Sequence, residues 1–126
     1  MPEATDNQGL GPILDLVHDL WVDLDEMTCD FVGRQVAFQV FDEEGTGWLR
    51  LMKRQSPRLL GTLTVFAVRT MHIKDRAGIG WVSLNKINYH EARKEVRIEF
   101  AFPVEILLSV DELRVRYAAV AEAPLR

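Results

Sequence analysis

The side chains in this sequence best suited to chemistry are three histidines, one cysteine and a few paired acids. His18 has Asp15 and Asp19 within one turn on a predicted helix, which is the start of a ligand cluster. Catalytic zinc takes three converging protein ligands, however, and His72 and His90 stand far off in the chain. The group around His18 therefore reads as a solvated acidic surface. Cys29 is followed by Asp30 and Phe31 just past the end of that helix, an electronegative position that does not activate a thiol. It reads as a small buried apolar residue, and a lone cysteine can form no internal disulfide. Glu43 and Glu44 could exchange protons, but in a glycine-bearing turn such a pair serves solubility. No Gly-x-Ser-x-Gly elbow is present, and Gly78-Ile79-Gly80 runs into Trp81-Val82-Ser83 rather than into a third glycine. These residues assign no catalytic group, no metal and no cofactor.

The middle of the chain is basic and aromatic. Residues 48–97 carry eleven Lys and Arg, interleaved with Trp48, Phe66, Trp81 and Tyr89. Single-strand nucleic-acid binders combine cations with stacking rings in this way. The chain as a whole is acidic, with a net charge of -4, so the rings read as core and nucleic acid is not an expected partner. Two short strings within the block carry a resemblance. Arg54-Gln55-Ser56-Pro57-Arg58 is an Arg-x-x-x-Arg string, and Asp75-Arg76-Ala77-Gly78-Ile79-Gly80 reads Asp-x-Ala-x-x-Gly after a β-rich stretch. Their order and spacing resemble PilZ domains, small β-barrels that bind cyclic di-GMP, with Ala77 standing where that family has serine. The resemblance implies that Arg54, Arg58, Asp75 and Gly80 contact a cyclic dinucleotide. Paired guanidinium forks suit phosphate and guanine acceptors.

Charge is unevenly spread. Residues 1–33 hold eight acids and no Lys or Arg, for -8; residues 34–47 give -2, 48–97 give +8 and 98–126 give -2. Such segregation marks an electrostatic interface within or between chains.

The elements that must position these groups follow from periodicity. Ile13, Leu14, Leu16, Val17, Leu20, Trp21, Leu24 and Met27 recur at three and four, predicting a helix from about residue 12 to 27 with Pro12 in its first turn. Its other face would carry Asp15, Asp19, Asp23 and Glu26, which repel one another by a few tenths of a kcal/mol per pair. After Gly33 the period falls to two. Strands are predicted over 35–41, 48–53, 59–74, 81–89, 96–102 and 104–110. Leu113, Val115 and Tyr117 continue the alternation, although Ser109-Val110-Asp111-Glu112 also fits a helix-capping box.

The expected fold is α+β, an N-terminal amphipathic helix packed on an antiparallel meander or partly closed barrel of six to seven strands. Residues 1–9 read as a disordered leader, 10–120 as one domain and 121–126 as a flexible tail. No secretory signal or membrane span is visible, so the expected location is the cytoplasm. The expected function is a non-catalytic binding or assembly module. It would form a homo-oligomer, or join another protein, by setting the acidic surface of Asp15, Asp19, Asp23 and Glu26 against a basic one. A PilZ-like cyclic di-GMP sensor is the alternative, and a small enzyme with an unrecognised site is a second.

Overall fold

The computed structural model describes residues 2–42, 58–75, 81–101 and 104–120. Among these residues one helix, α1 (Asn7–Val17), stands with ten strands: β1 (Glu3–Ala4), β2 (Trp21–Asp23), β3 (Thr28–Asp30), β4 (Gln35–Phe41), β5 (Leu59–Val65), β6 (Val68–Asp75), β7 (Trp81–His90), β8 (Glu95–Phe100), β9 (Val104–Val110) and β10 (Val115–Ala119). Single 3-10 turns occupy Leu24–Glu26 and Glu91–Arg93. The strands form one antiparallel sheet in the order β1-β10-β5-β4-β2-β7-β8-β9-β6, with β3 alongside β4. The sheet curls around its core without closing. The α+β, antiparallel expectation holds, and the strand number exceeds six to seven for two reasons. Short strands form at residues 3–4, 21–23 and 28–30, and the run 59–74 is two strands around a corner.

Alternation places Val36, Phe38 and Val40 of β4, Leu63 and Val65 of β5, and Val96, Ile98 and Phe100 of β8 on the inner face, all buried. Burying a side chain such as Phe38 stabilises the fold by about 1.5–3 kcal/mol. α1 lays Leu10, Ile13 and Val17 on the same core.

The helix is shifted toward the N-terminus from its predicted position, and segment 2–9, read from sequence as a leader, carries β1 and the first turn of α1. Asp6 caps the helix, its carboxylate accepting from the Gly9 amide at 2.8 Å, which satisfies one of the free amides of a helix start. Pro12 is consequently the sixth helical residue rather than the first. The amide it lacks would have served the carbonyl of Gln8, an exposed residue. The Asn7 side chain then mimics a strand. It donates to the Tyr89 carbonyl at 2.9 Å and accepts from the Tyr89 amide at 3.1 Å, occupying the edge of β7.

The helix stops at Val17 because the next residues are needed elsewhere. His18 donates its amide to Leu14, and Asp19 turns the chain with a φ of 65°. Trp21-Val22-Asp23 then enters the sheet as β2, pairing with β4 (Val22 opposite Val40) and with β7 (Val22 opposite Val82). On the outer side Trp21 and Trp81 stack at 5.6 Å, and Phe41 meets Trp81 at the same separation. A helical continuation would have lined up four acids without a base. The strand disperses them and buries Val22 completely.

At the opposite edge β1 pairs with β10, Glu3 opposite Arg116. Glu3 bridges Arg114 at 3.3 Å and Arg116 at 3.2 Å, and both guanidiniums lie over the Phe66 ring at 4.6 and 5.0 Å. The hydrogen bond from Arg116 leads in holding the Glu3 carboxyl below its ordinary value; partial desolvation works against it and the Arg114 charge supports it. Residues 115–119 are strand, which settles the ambiguity left by the capping box. Tyr117 packs its ring over Gly61, and burial raises its phenol pKa above the ordinary value.

Two substitutions of opposite sense test this packing. A Cβ at Gly61 would lie 2.6 Å from Tyr117 Cζ and 2.7 Å from the Ala118 carbonyl oxygen. Gly61→Ala is therefore expected to lower stability in urea unfolding by about 1–3 kcal/mol. Ala67, between β5 and β6, has a φ of 54°, a conformation that costs an L-residue roughly 1–2 kcal/mol. Ala67→Gly is expected to hold or raise stability. A Gly61→Ala protein as stable as the native one would remove Tyr117 from that strand.

Candidate functional site

Two strand edges meet across a gap. Among the described strands β6 is terminal, and β3 is paired only on its β4 side. Register sets Met71 opposite Leu108 and Ile73 opposite Ile106, so these β6 side chains point to the inner face. Leu108 and Ile106 are fully buried, whereas Ile73 is 38 % exposed because no described strand lies beyond β6. Between the edges opens a cleft of about 390 Å³ lined by Cys29, Arg34, Val36, Val68, Arg69 and Met71, among others. Its volume is in the range of small-molecule sites. The turn joining β3 to β4 adds an apolar tip, with Phe31 88 % and Val32 96 % exposed. Asp30 shapes that turn by accepting from the Gly33 amide at 2.9 Å.

One end of the cleft is fixed by a charged corner. The β5–β6 bend brings the Val68 amide to the Arg34 carbonyl at 2.9 Å, the Asp111 amide to the Ala67 carbonyl at 3.0 Å and the Phe66 amide to the Arg114 carbonyl at 2.9 Å. Arg34, itself at a φ of 56°, pairs through Nη2 with Asp111 and donates from Nε to the Val68 carbonyl at 3.3 Å. Arg69 reaches the other Asp111 oxygen at 3.6 Å. One carboxylate thus ties the β3–β4 turn, the β5–β6 bend and the β9–β10 turn together. Two guanidiniums are thereby held beside the cleft.

The structure spreads the residues singled out from sequence over several elements. Asp15 is exposed on α1, Asp19 is exposed in the turn after it, with His18 Nδ1 at 3.1 Å from its carboxylate, and Glu26 is exposed on the 3-10 turn. Asp23 is half-buried in β2 and accepts from the Asp25 amide at 3.0 Å. The expected single acidic helix face is therefore replaced by acids on a helix, a turn, a strand and a 3-10 turn. Arg58 is held at the base of β4 and β5, its Nε 3.1 Å from Asp42. Asp75 ends β6 opposite Val104. Arg54, Gly80, Glu43, Glu44, Trp48 and the 121–126 tail lie outside the described residues. His72 lies on β6 and His90 at the end of β7. Among the described residues no three His, Cys, Asp or Glu side chains gather as a metal-binding group, and no helix is long and apolar enough to cross a membrane.

Sequence reasoning missed Arg34, Arg69 and Asp111 as a unit, and Phe31 with Val32 as a surface. The corner has no local signature, since Phe66-Ala67 contains neither glycine nor proline. The apolar pair ahead of Gly33 was a usable signal, because tight turns seldom expose two large apolar side chains together.

No protein-family model and no curated protein matches the chain. A crystal structure of an uncharacterized protein from Neisseria gonorrhoeae is similar with a TM-score of 0.45 and 10 % identity, over 79 % of this chain and 90 % of that one.

Removing the shared carboxylate should loosen the corner. The side chains involved are about half exposed, so Asp111→Asn is expected to lower stability by about 0.5–1 kcal/mol at low salt, with the difference shrinking as salt screens the pair. Thermal unfolding at two ionic strengths checks this; no change at low salt would show that Asp111 does not hold the corner.

Proposed function

We propose that this protein is a non-catalytic binding and assembly module that self-associates through its segregated acidic and basic surfaces. The observation that carries this reading is the pattern of unused charge. Within the described residues Glu3, Asp42, Glu105 and Asp111 each pair with arginine or lysine. Asp15, Asp25 and Glu26 in the acidic first third are exposed, and none of them makes an ion pair there. Lys86, Arg93 and Lys94 are likewise exposed and make none among the described residues. Opposite charges left unpaired in one copy can be satisfied reciprocally between two copies about a two-fold axis. The expected result is an association constant, from sedimentation equilibrium, that falls several-fold between about 0.05 and 0.5 M salt. A monomer at all concentrations, or association indifferent to salt, would overturn the proposal.

A second reading, the PilZ-like cyclic di-GMP sensor, is supported by one observation. The Asp42–Arg58 pair adjoins Phe41, whose ring meets Trp81, the residue after Gly80. The residues flanking the two short strings thus lie at one end of the fold. Calorimetry with cyclic di-GMP decides it: saturable heat that disappears in an Arg54→Ala, Arg58→Ala protein establishes the sensor. No heat with the intact chain removes it.

A further inference from the structure

We infer that the β6 edge of one copy pairs with the β3 edge of a second copy, and reciprocally, to give a two-fold dimer closed at both seams. The inference rests on the assembly reading above and names the surfaces that perform it.

The charges at the two edges are opposite. β6 presents exposed Arg69 and Lys74, held within one copy only by surface pairs of 3.6 and 3.7 Å, while β3 ends in exposed Asp30 and follows exposed Asp25 and Glu26. Pairing β6 with a second β6 would bring cations together, and pairing β3 with β3 would do the same with acids. Like charges across a strand pair are unfavourable, and natural sheets use such charges to block unwanted edge contacts. Of the combinations of these two edges, β6 with β3 is the one that sets opposite charges side by side.

Within one copy these edges do not pair. The Arg34–Asp111–Arg69 corner and the Val68–Arg34 hydrogen bond fix the start of β6 near the start of β4. From there β6 follows β9 through seven paired positions, and the cleft separates it from β3. β3 is held by β4 on the far side of that cleft, so the strand proposed for its outer edge comes from a second copy.

The apolar surface lies in the same place. Phe31 and Val32 stand uncovered at the tip beside β3, and Ile73 is partly exposed on the inner side of β6. Pairing the two edges sets that tip against the seam, adding burial of large side chains to the backbone hydrogen bonds of strand addition. Because each copy offers one edge of each sign, the two-fold arrangement uses both and ends growth at two copies. A one-sided contact would leave sticky ends and propagate.

Charge reversal at each edge tests the pairing. One variant carries His72→Glu and Lys74→Glu, and the other carries Asp25→Lys and Glu26→Lys. All four sites are exposed, and Lys74 gives up only a 3.7 Å surface pair with Glu105, so both chains should fold, as circular dichroism melts will verify. In sedimentation equilibrium each variant alone is expected to self-associate at least about tenfold more weakly than the native chain. An equimolar mixture is expected to regain native-strength dimers, since the reversed β6 edge of one variant then meets the reversed β3 side of the other, while the remaining β6 and β3 edges keep their native charges. If the native chain dimerises in a salt-dependent way and both variants associate as it does, the edge pairing is overturned while the assembly reading stands. Two weakened variants that stay apart when mixed also overturn the pairing. A native chain that remains monomeric overturns both.

Discussion

Val22, completely buried between Val40 and Val82, belongs to the three-residue strand through which the β1-β10-β5-β4 half of the sheet is joined to the β7-β8-β9-β6 half. A strand so short contributes few hydrogen bonds, so its position depends on side chains on both faces: the valines inside and the Trp21–Trp81–Phe41 ring contacts outside. Much of the N-terminal architecture follows from placing it. The helix must end early, Asp19 must adopt a left-handed turn, and the Asp19 amide and Leu20 carbonyl bond Leu84 on the way in. The β7 edge beyond that point is occupied by the Asn7 amide rather than by another strand.

Strands that alternate cleanly were legible from the residues. Val36-Phe38-Val40, Val96-Ile98-Phe100 and the Val115-Tyr117 pair all bury the side predicted for them. The segment from Leu20 to Met27 misled because its apolar spacing satisfies a helix, while the actual arbiter is distant: the slot between β4 and β7 accepts a β-former such as Val22. The acids in that stretch were a local warning, since an uncompensated run at helical spacing disfavours the helix. Ala67 was illegible for a different reason. Its positive φ is imposed by hydrogen bonds to Arg34, Asp111 and Arg114, which approach from three separate parts of the chain. The candidate site inherits that difficulty, because Arg34, Arg69 and Asp111 meet only through the bend. The charge segregation, by contrast, is visible in composition alone, and the fold changes what it means. The acids are not one helix face; those on and around the Leu24–Glu26 turn flank a strand edge.

The curled sheet is therefore finished at one border and unfinished at another. β1 is pinned to β10 by Glu3 and two arginines stacked on Phe66. At β6 an equally good ladder with β9 is followed by a half-exposed isoleucine and a cleft. Sheets that end in this way bear charges or short strands that restrain indiscriminate pairing, and here the restraint has a sign that differs between β6 and β3.

The marriage of β1 to β10 also dictates the order in which the molecule can be completed. Glu3 meets Arg116 across 113 positions of chain, so β1 cannot take its place until β10 has been made and released. Contacts of such long sequence separation are slow to form. Until then Ala4, buried in the finished protein, lacks the β10 strand it pairs with, and a segment waiting in that state is open to chaperones or proteases.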